Sequence, residues 1–181
     1  MPTALGRSSI AALPPNTRSP VTIVISPFGT GDTLGSRGAT LTVTLFDFAG
    51  FPVAGLPRQD LWVDDPGDGT LNMCLGGAWA DHDTDANGQT TFSGRLGGGG
   101  ASETIAVYVI GTRIVGPAPL VSVISPDYDA NQRVDIADVG IFVLDFASGT
   151  NPERSDFVDD DVLNLADLGR FATFLGEECR P

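Results

Sequence analysis

The chain reads as mainly β. A β-sandwich over residues 20–124 is followed by a small α-helical unit over residues 125–181, with residues 1–19 ahead of both as a flexible or docking arm. Three observations predict this. Six short runs rich in β-branched residues succeed one another up to residue 124, bounded by Gly, Pro and Asn-Gly turns. Beyond them that rhythm stops, and a stretch with side-chain oxygens at fixed offsets occurs twice, 29 residues apart, each copy feeding apolar residues at helical spacing. At 181 residues and 41% hydrophobic, the chain has room for one medium core and one small one.

In chain order, Met1 to Pro20 holds no continuous apolar stretch and no helical pattern, so no secretion leader is visible there. The strand-like runs are Val21–Ile25, Ala39–Phe46, Leu61–Val63, Thr90–Phe92, Thr104–Ile110 and Leu120–Ile124, a spacing that fits a sandwich. Asn87-Gly88 is read as a hairpin turn. Gly97–Gly100, with no helical pattern after it, is read as a flexible loop and not a phosphate cradle. Asp81, Asp83 and Asp85 imitate the start of a cation loop, but Gly94 stands where the closing carboxylate would be needed, leaving at most an adventitious surface ion. Trp62 and Trp79 are read as core or sheet-edge residues, with Trp79 among glycines keeping a carbohydrate platform open. His82, the one histidine, has no Ser or Cys nucleophile context. The chain is read as lacking a catalytic centre.

The repeated stretch carries the chemistry. In residues 127–138, Asp127, Asp129, Asn131, Asp135 and Asp138 fall at positions 1, 3, 5, 9 and 12 of a twelve-residue loop, and Arg133 at position 7 offers its backbone carbonyl. A hard cation that takes six to eight oxygens needs alternate residues turned inward in this way, so the spacing points to calcium. In residues 156–167, Asp156, Asp160, Asn164 and Asp167 occupy positions 1, 5, 9 and 12, with Val162 at position 7, but position 3 is Val158 and gives no oxygen. Position 6 wants a positive φ and is Gln132 in one loop and Asp161 in the other. The first loop thus has the better ligands and the second the better turn residue, so two calcium sites of unequal affinity are expected. Val139, Phe142, Val143 and Phe146, and then Leu168, Phe171, Ala172 and Leu175, form the apolar stripes of the two following helices.

The formal charge of −13 is concentrated here, since residues 126–181 hold thirteen acidic and four basic side chains. With no Lys anywhere, neither a nucleic-acid partner nor an anionic membrane surface fits. Thr104–Ile110, the longest apolar run, is far short of a membrane span. Cys74 and Cys179 are the two cysteines and disulfide candidates; the pair could close within one chain, join two chains, or remain as thiols.

Two loop-helix units with Asp at position 12 resemble the dockerin family of calcium modules, over about residues 126 to 178. Where many dockerins carry a Ser-Thr recognition pair, positions 10 and 11 read Ile136-Ala137 and Leu165-Ala166. Asp47-Phe-Ala-Gly-Phe-Pro-Val-Ala-Gly55 and Thr84-Asp-Ala-Asn-Gly-Gln-Thr-Thr-Phe92 resemble signatures of bacterial Ig-like domains of the invasin type, over about residues 20 to 124. Together the resemblances imply an extracellular or cell-surface protein without enzymatic activity. Its expected partners are copies of itself in an oligomer or filament, or alternatively a cohesin-like β-sandwich on another protein, with the Ig-like part as spacer or carbohydrate-binding accessory.

Overall fold

The computed structural model describes residues 5–11, 21–67, 69–114, 121–149 and 153–179. Strands dominate, and two short helices follow them. The alternation in the sequence is what builds the central strands. In β3 (Leu41–Asp47), Leu41, Val43 and Leu45 are fully buried while Thr42, Thr44 and Phe46 lie on the half-exposed face. β3 pairs antiparallel with β6 (Gln89–Phe92), setting Leu41 opposite Phe92. β4 (Leu61–Asp64) pairs antiparallel with β8 (Ala106–Val109), which turns back through Ile110-Gly111 into β9 (Thr112–Arg113).

Of the two expectations for the N-terminal arm, flexible or docking, residues 5–11 take the second. β1 (Leu5–Ala11) lies antiparallel on β3, Leu5 opposite Asp47 and Ala11 opposite Thr42, so this part of the arm docks on its own chain. Residues 1–4 and 12–19 of that arm lie outside the described residues. The Gly97–Gly100 stretch also departs from the flexible loop expected. β7 (Gly98–Gly99) is a buried strand paired with β5 (Asn72–Met73), because only residues without side chains admit the close approach. A Cβ on Gly98 would stand 2.8 Å from Met73 Sδ, and one on Gly77 would run into Gly97.

β2 (Val21–Val24) and β10 (Val121–Ile124) form a parallel pair with no long exposed face. Ile23, Val121 and Val123 point into the core of the strand region, with Leu41, Val63 and Phe92. Val24 and Ile124 point the other way, into a second core with Val134, Phe142, Phe157, Phe171 and Phe174. The near-continuous apolar character of β2 and β10 has this cause: strands covered on both sides bury nearly every position, the small polar Thr22 and Ser122 included.

α1 (Ile136–Ser148) and α2 (Leu165–Ala172) begin alike. Asp135 caps the first by accepting from the Ala137 amide, and Asn164 caps the second by accepting from the Ala166 amide; Asp138 and Asp167 complete a capping box in each. Gly149, left-handed at φ 65°, ends α1. The helices use less of their apolar stripes than the spacing foretold. Phe142 and Phe171 are buried, whereas Val143, Phe146, Leu168 and Leu175 are exposed. The second residue of each loop joins them instead: Phe157 is fully buried and lies 6.3 Å from Phe142 and 6.0 Å from Phe171, and the partly buried Tyr128 lies 6.2 Å from both Phe157 and Phe171, ring centroid to ring centroid. Each such pair is worth about 0.5–1.5 kcal/mol beyond the area it buries.

Candidate metal centre

Carboxylate oxygens of Asp127, Asp129 and Asp138 lie within 4.8 Å of one another. The chain brings them together by satisfying its own amides. Asp127 Oδ1 accepts from the Asn131 amide at 3.1 Å and Oδ2 from the Gln132 amide at 2.8 Å, which wraps positions 5 and 6 around position 1. Asp138 Oδ1 accepts from the Tyr128 amide and Oδ2 from the Asp135 amide, both at 2.8 Å, which closes position 12 onto the start of the loop. The capping residue of α1 and the closing carboxylate of the loop are therefore three residues apart by necessity.

Asp127 and Asp138 are fully buried, and among the described residues no arginine pairs with either. Burial, together with the neighbouring Asp138 carboxylate, pushes the Asp127 carboxyl up to about 6, against the amides of Gln132 and Asn131 that hold it down. Asp138 is likewise raised, chiefly by burial. Two acids placed this close, dry and without a counter-charge are costly unless a cation neutralises them. An all-oxygen set suits calcium; nothing soft enough for a thiolate-seeking metal is present in the loop. The three carboxylates have the chemistry to hold a hard cation.

The remaining expected ligands of the first loop are partly engaged. The Asn131 side-chain amide donates to Asp129 Oδ2 at 3.1 Å, and Asp135 is occupied as the helix cap. Arg133 lies in a backbone bridge with Glu178, which ties position 7 to the C-terminal segment.

The second loop repeats the pattern. Asp156 accepts from the amides of Asp160 at 3.2 Å and Asp161 at 2.7 Å, and Asp167 from those of Val158 at 3.0 Å and Asn164 at 2.8 Å. Asp156 and Asp167 are buried, but Val158 adds no third carboxylate between them, and Asp160 accepts from the Val162 amide. Asn164 Nδ2 donates to the Val162 carbonyl at 2.9 Å, so the position 7 oxygen already has a partner. Among the described residues a triad of carboxylates converges in the first loop and not in the second.

Residues far from the loops complete the first one. The Gly100 amide donates to the Asp127 carbonyl at 2.7 Å, and a Cβ on Gly99 would lie 2.5 Å from Asp127 Cγ. Asn72 contacts the loop at Ala130 and Gln132. Cys74 and Cys179 are joined in a disulfide, Cα–Cα 5.6 Å, and the Cys179 amide donates to the Gln132 carbonyl at 3.0 Å. Of the open readings for the cysteines, the one within the chain is what the fold holds. None of Gly99, Asn72 or the buried Asp145, clamped by Arg154 at 2.6 and 2.8 Å, was legible as part of this region. The one sequence signal was the aromatic at position 2 of both loops, Tyr128 and Phe157.

Asp81, Asp83 and Asp85 are each engaged separately. Asp81 accepts from Thr91 and Ser93, Asp83 from the Arg58 amide, and Asp85 from the amides of Asn87 and Gln89 in the turn that Gly88 closes. Trp62 stacks on Tyr108 at 5.7 Å and Trp79 lies under the Arg58 guanidinium. No helix among the described residues is long and apolar enough to cross a membrane. No family model, curated protein or solved structure matches the chain.

Proposed function

We propose that this chain is a non-catalytic, extracellular calcium-binding structural protein. In this reading an Ig-like β-sandwich is braced by a dockerin-like module, calcium binds the 127–138 loop more tightly than the 156–167 loop, and copies assemble at a surface or in a filament. The convergence of Asp127, Asp129 and Asp138 carries the reading, because these carboxylates are held in place by backbone amides and no arginine among the described residues pairs with them. The disulfide supports an oxidising, extracellular setting. Thermal melts in calcium, in magnesium and in chelator test it. Calcium should raise the transition in the parent chain and not in Asp127→Ala or Asp138→Ala; an unchanged melt in excess chelator removes the reading.

A second reading has its own observation. Ile136 is 81% exposed and Leu165 71% exposed, and they occupy equivalent positions at the start of the two helices. Such a pair favours docking onto another protein, which for a dockerin-like unit is a cohesin-like β-sandwich. Light scattering at millimolar calcium separates the two: concentration-dependent assembly of the purified chain supports the subunit, and a monomer at high concentration favours the plug.

A further inference from the structure

The two loops share a backbone shape but not the residues that make it easy. Positions 4 and 6 are left-handed in both, Ala130 at φ 56° and Gln132 at φ 70° in the first, Asp159 at φ 60° and Asp161 at φ 65° in the second. Asp enters that region several-fold more readily than most residues with a side chain, whereas Ala and Gln have no local hydrogen bond that eases it. The loop with the better ligands is thus the one with the worse backbone residues, and its shape needs a hold from outside.

Asn72, on β5, supplies that hold. Its Nδ2 donates to the Ala130 carbonyl at 2.8 Å, and its Oδ1 accepts from Gln132 Nε2 at 3.1 Å, so one side-chain amide grips both left-handed residues. Gln132 Nε2 also donates to the Met73 carbonyl at 3.3 Å. Between the two gripped residues sits Asn131, and the amides of Asn131 and Gln132 are the donors that aim the Asp127 carboxylate. We infer that Asn72 is a positioning residue of the first cation site: it fixes the two left-handed residues, and through the Asn131 and Gln132 amides the orientation of Asp127, without itself being a ligand. For its ion the inference rests on the calcium reading above; for its geometry it does not.

The test compares the parent chain, Asn72→Ala, Asn72→Asp, the pair Ala130→Gly/Gln132→Gly, and that pair combined with Asn72→Ala. Two quantities are read: calcium affinity by calorimetry, and amide exchange at Asn131 and Gln132 in chelator, with exchange at Val43 and Leu45 as the control for the fold. Asn72→Ala should weaken the tighter calcium site by about tenfold or more, leave the weaker site in place, and speed exchange at Asn131 and Gln132 alone. Asn72→Asp, which keeps the acceptor but loses the donor to Ala130, should fall between. Glycine needs no outside hold at positive φ, so in the double-glycine chain the same Asn72→Ala change should alter both quantities by less than about twofold. An equal loss in both backgrounds would mean that Asn72 acts through β5–β7 packing and would overturn the inference, as would unchanged exchange in Asn72→Ala. A parent chain that takes up no calcium removes only the metal reading, and the exchange measurements then decide the role of Asn72.

Discussion

Gly99→Ala asks whether the strand region and the cation loop are one device. The added methyl would stand 2.5 Å from Asp127 Cγ and closer still to Oδ2, where no atom fits. Asp127 cannot swing away freely, because the Asn131 and Gln132 amides hold its oxygens and the Gly100 amide holds its carbonyl. β7 cannot retreat either, being paired with Asn72 and Met73. Overpacking of this kind costs about 1–3 kcal/mol whatever the solvent. Under the proposed calcium binding, a displaced Asp127 also forfeits the stabilisation from the ion, about 2.7 kcal/mol at a hundredfold excess over the dissociation constant. The variant should therefore lie about 1–3 kcal/mol below the parent in chelator and roughly 4–6 kcal/mol below it in calcium. Urea denaturation of both proteins in both buffers measures the four values. A calcium-dependent gain as large in Gly99→Ala as in the parent would show that Asp127 is not a ligand, and the reasoning would fall.

Three further outcomes are expected. The Asp127 carboxyl is raised to about 6 in the metal-free fold from an ordinary 3.8, so its favourable contribution is complete below about pH 4 and is lost as pH rises through 6. Chelated protein should lose at most about 3 kcal/mol over that window. Calcium needs the ionised carboxylate, so its stabilising effect should grow from pH 5 to pH 7, and melts showing the same calcium shift at both would contradict this. Val158→Asp should strengthen the second site by restoring an oxygen at position 3; calorimetry showing weaker binding there would mean that the loop frame is wrong. Cys179→Ser opens a crosslink spanning 105 residues and should cost about 2–5 kcal/mol in chemical denaturation, a loss absent if the bond adds no constraint.

The legible parts of this chain are those whose signal is local. Each of β2, β3, β4, β6, β8 and β10 falls within a residue or two of a β-branched run, and both loops were framed by oxygens at fixed offsets. β5, β7 and β9 are two-residue strands, too short to alternate, and the glycines of β7 read as slack because their purpose is the side chain they make room for. Asn72 stands 58 and 60 residues from the atoms it holds, a distance over which no period reports. The helical stripes foretold burial for Val143 and Phe146, yet a unit with one helix per repeat has too little facing surface to cover them, and Tyr128 and Phe157 took the places available.

The Cys74–Cys179 bond also decides where tension would run. A pull applied on either side of the crosslink enters it at residue 74 and leaves it at residue 179, so the covalent path bypasses everything between, both repeated loops and β10 included. The 105 residues between the two cysteines would then stay out of the load path, withholding about 350 Å of extensible length. Reduced, the same chain would carry the load through the loops themselves, and ions held by Asp127 and Asp138 would become part of what resists stretching.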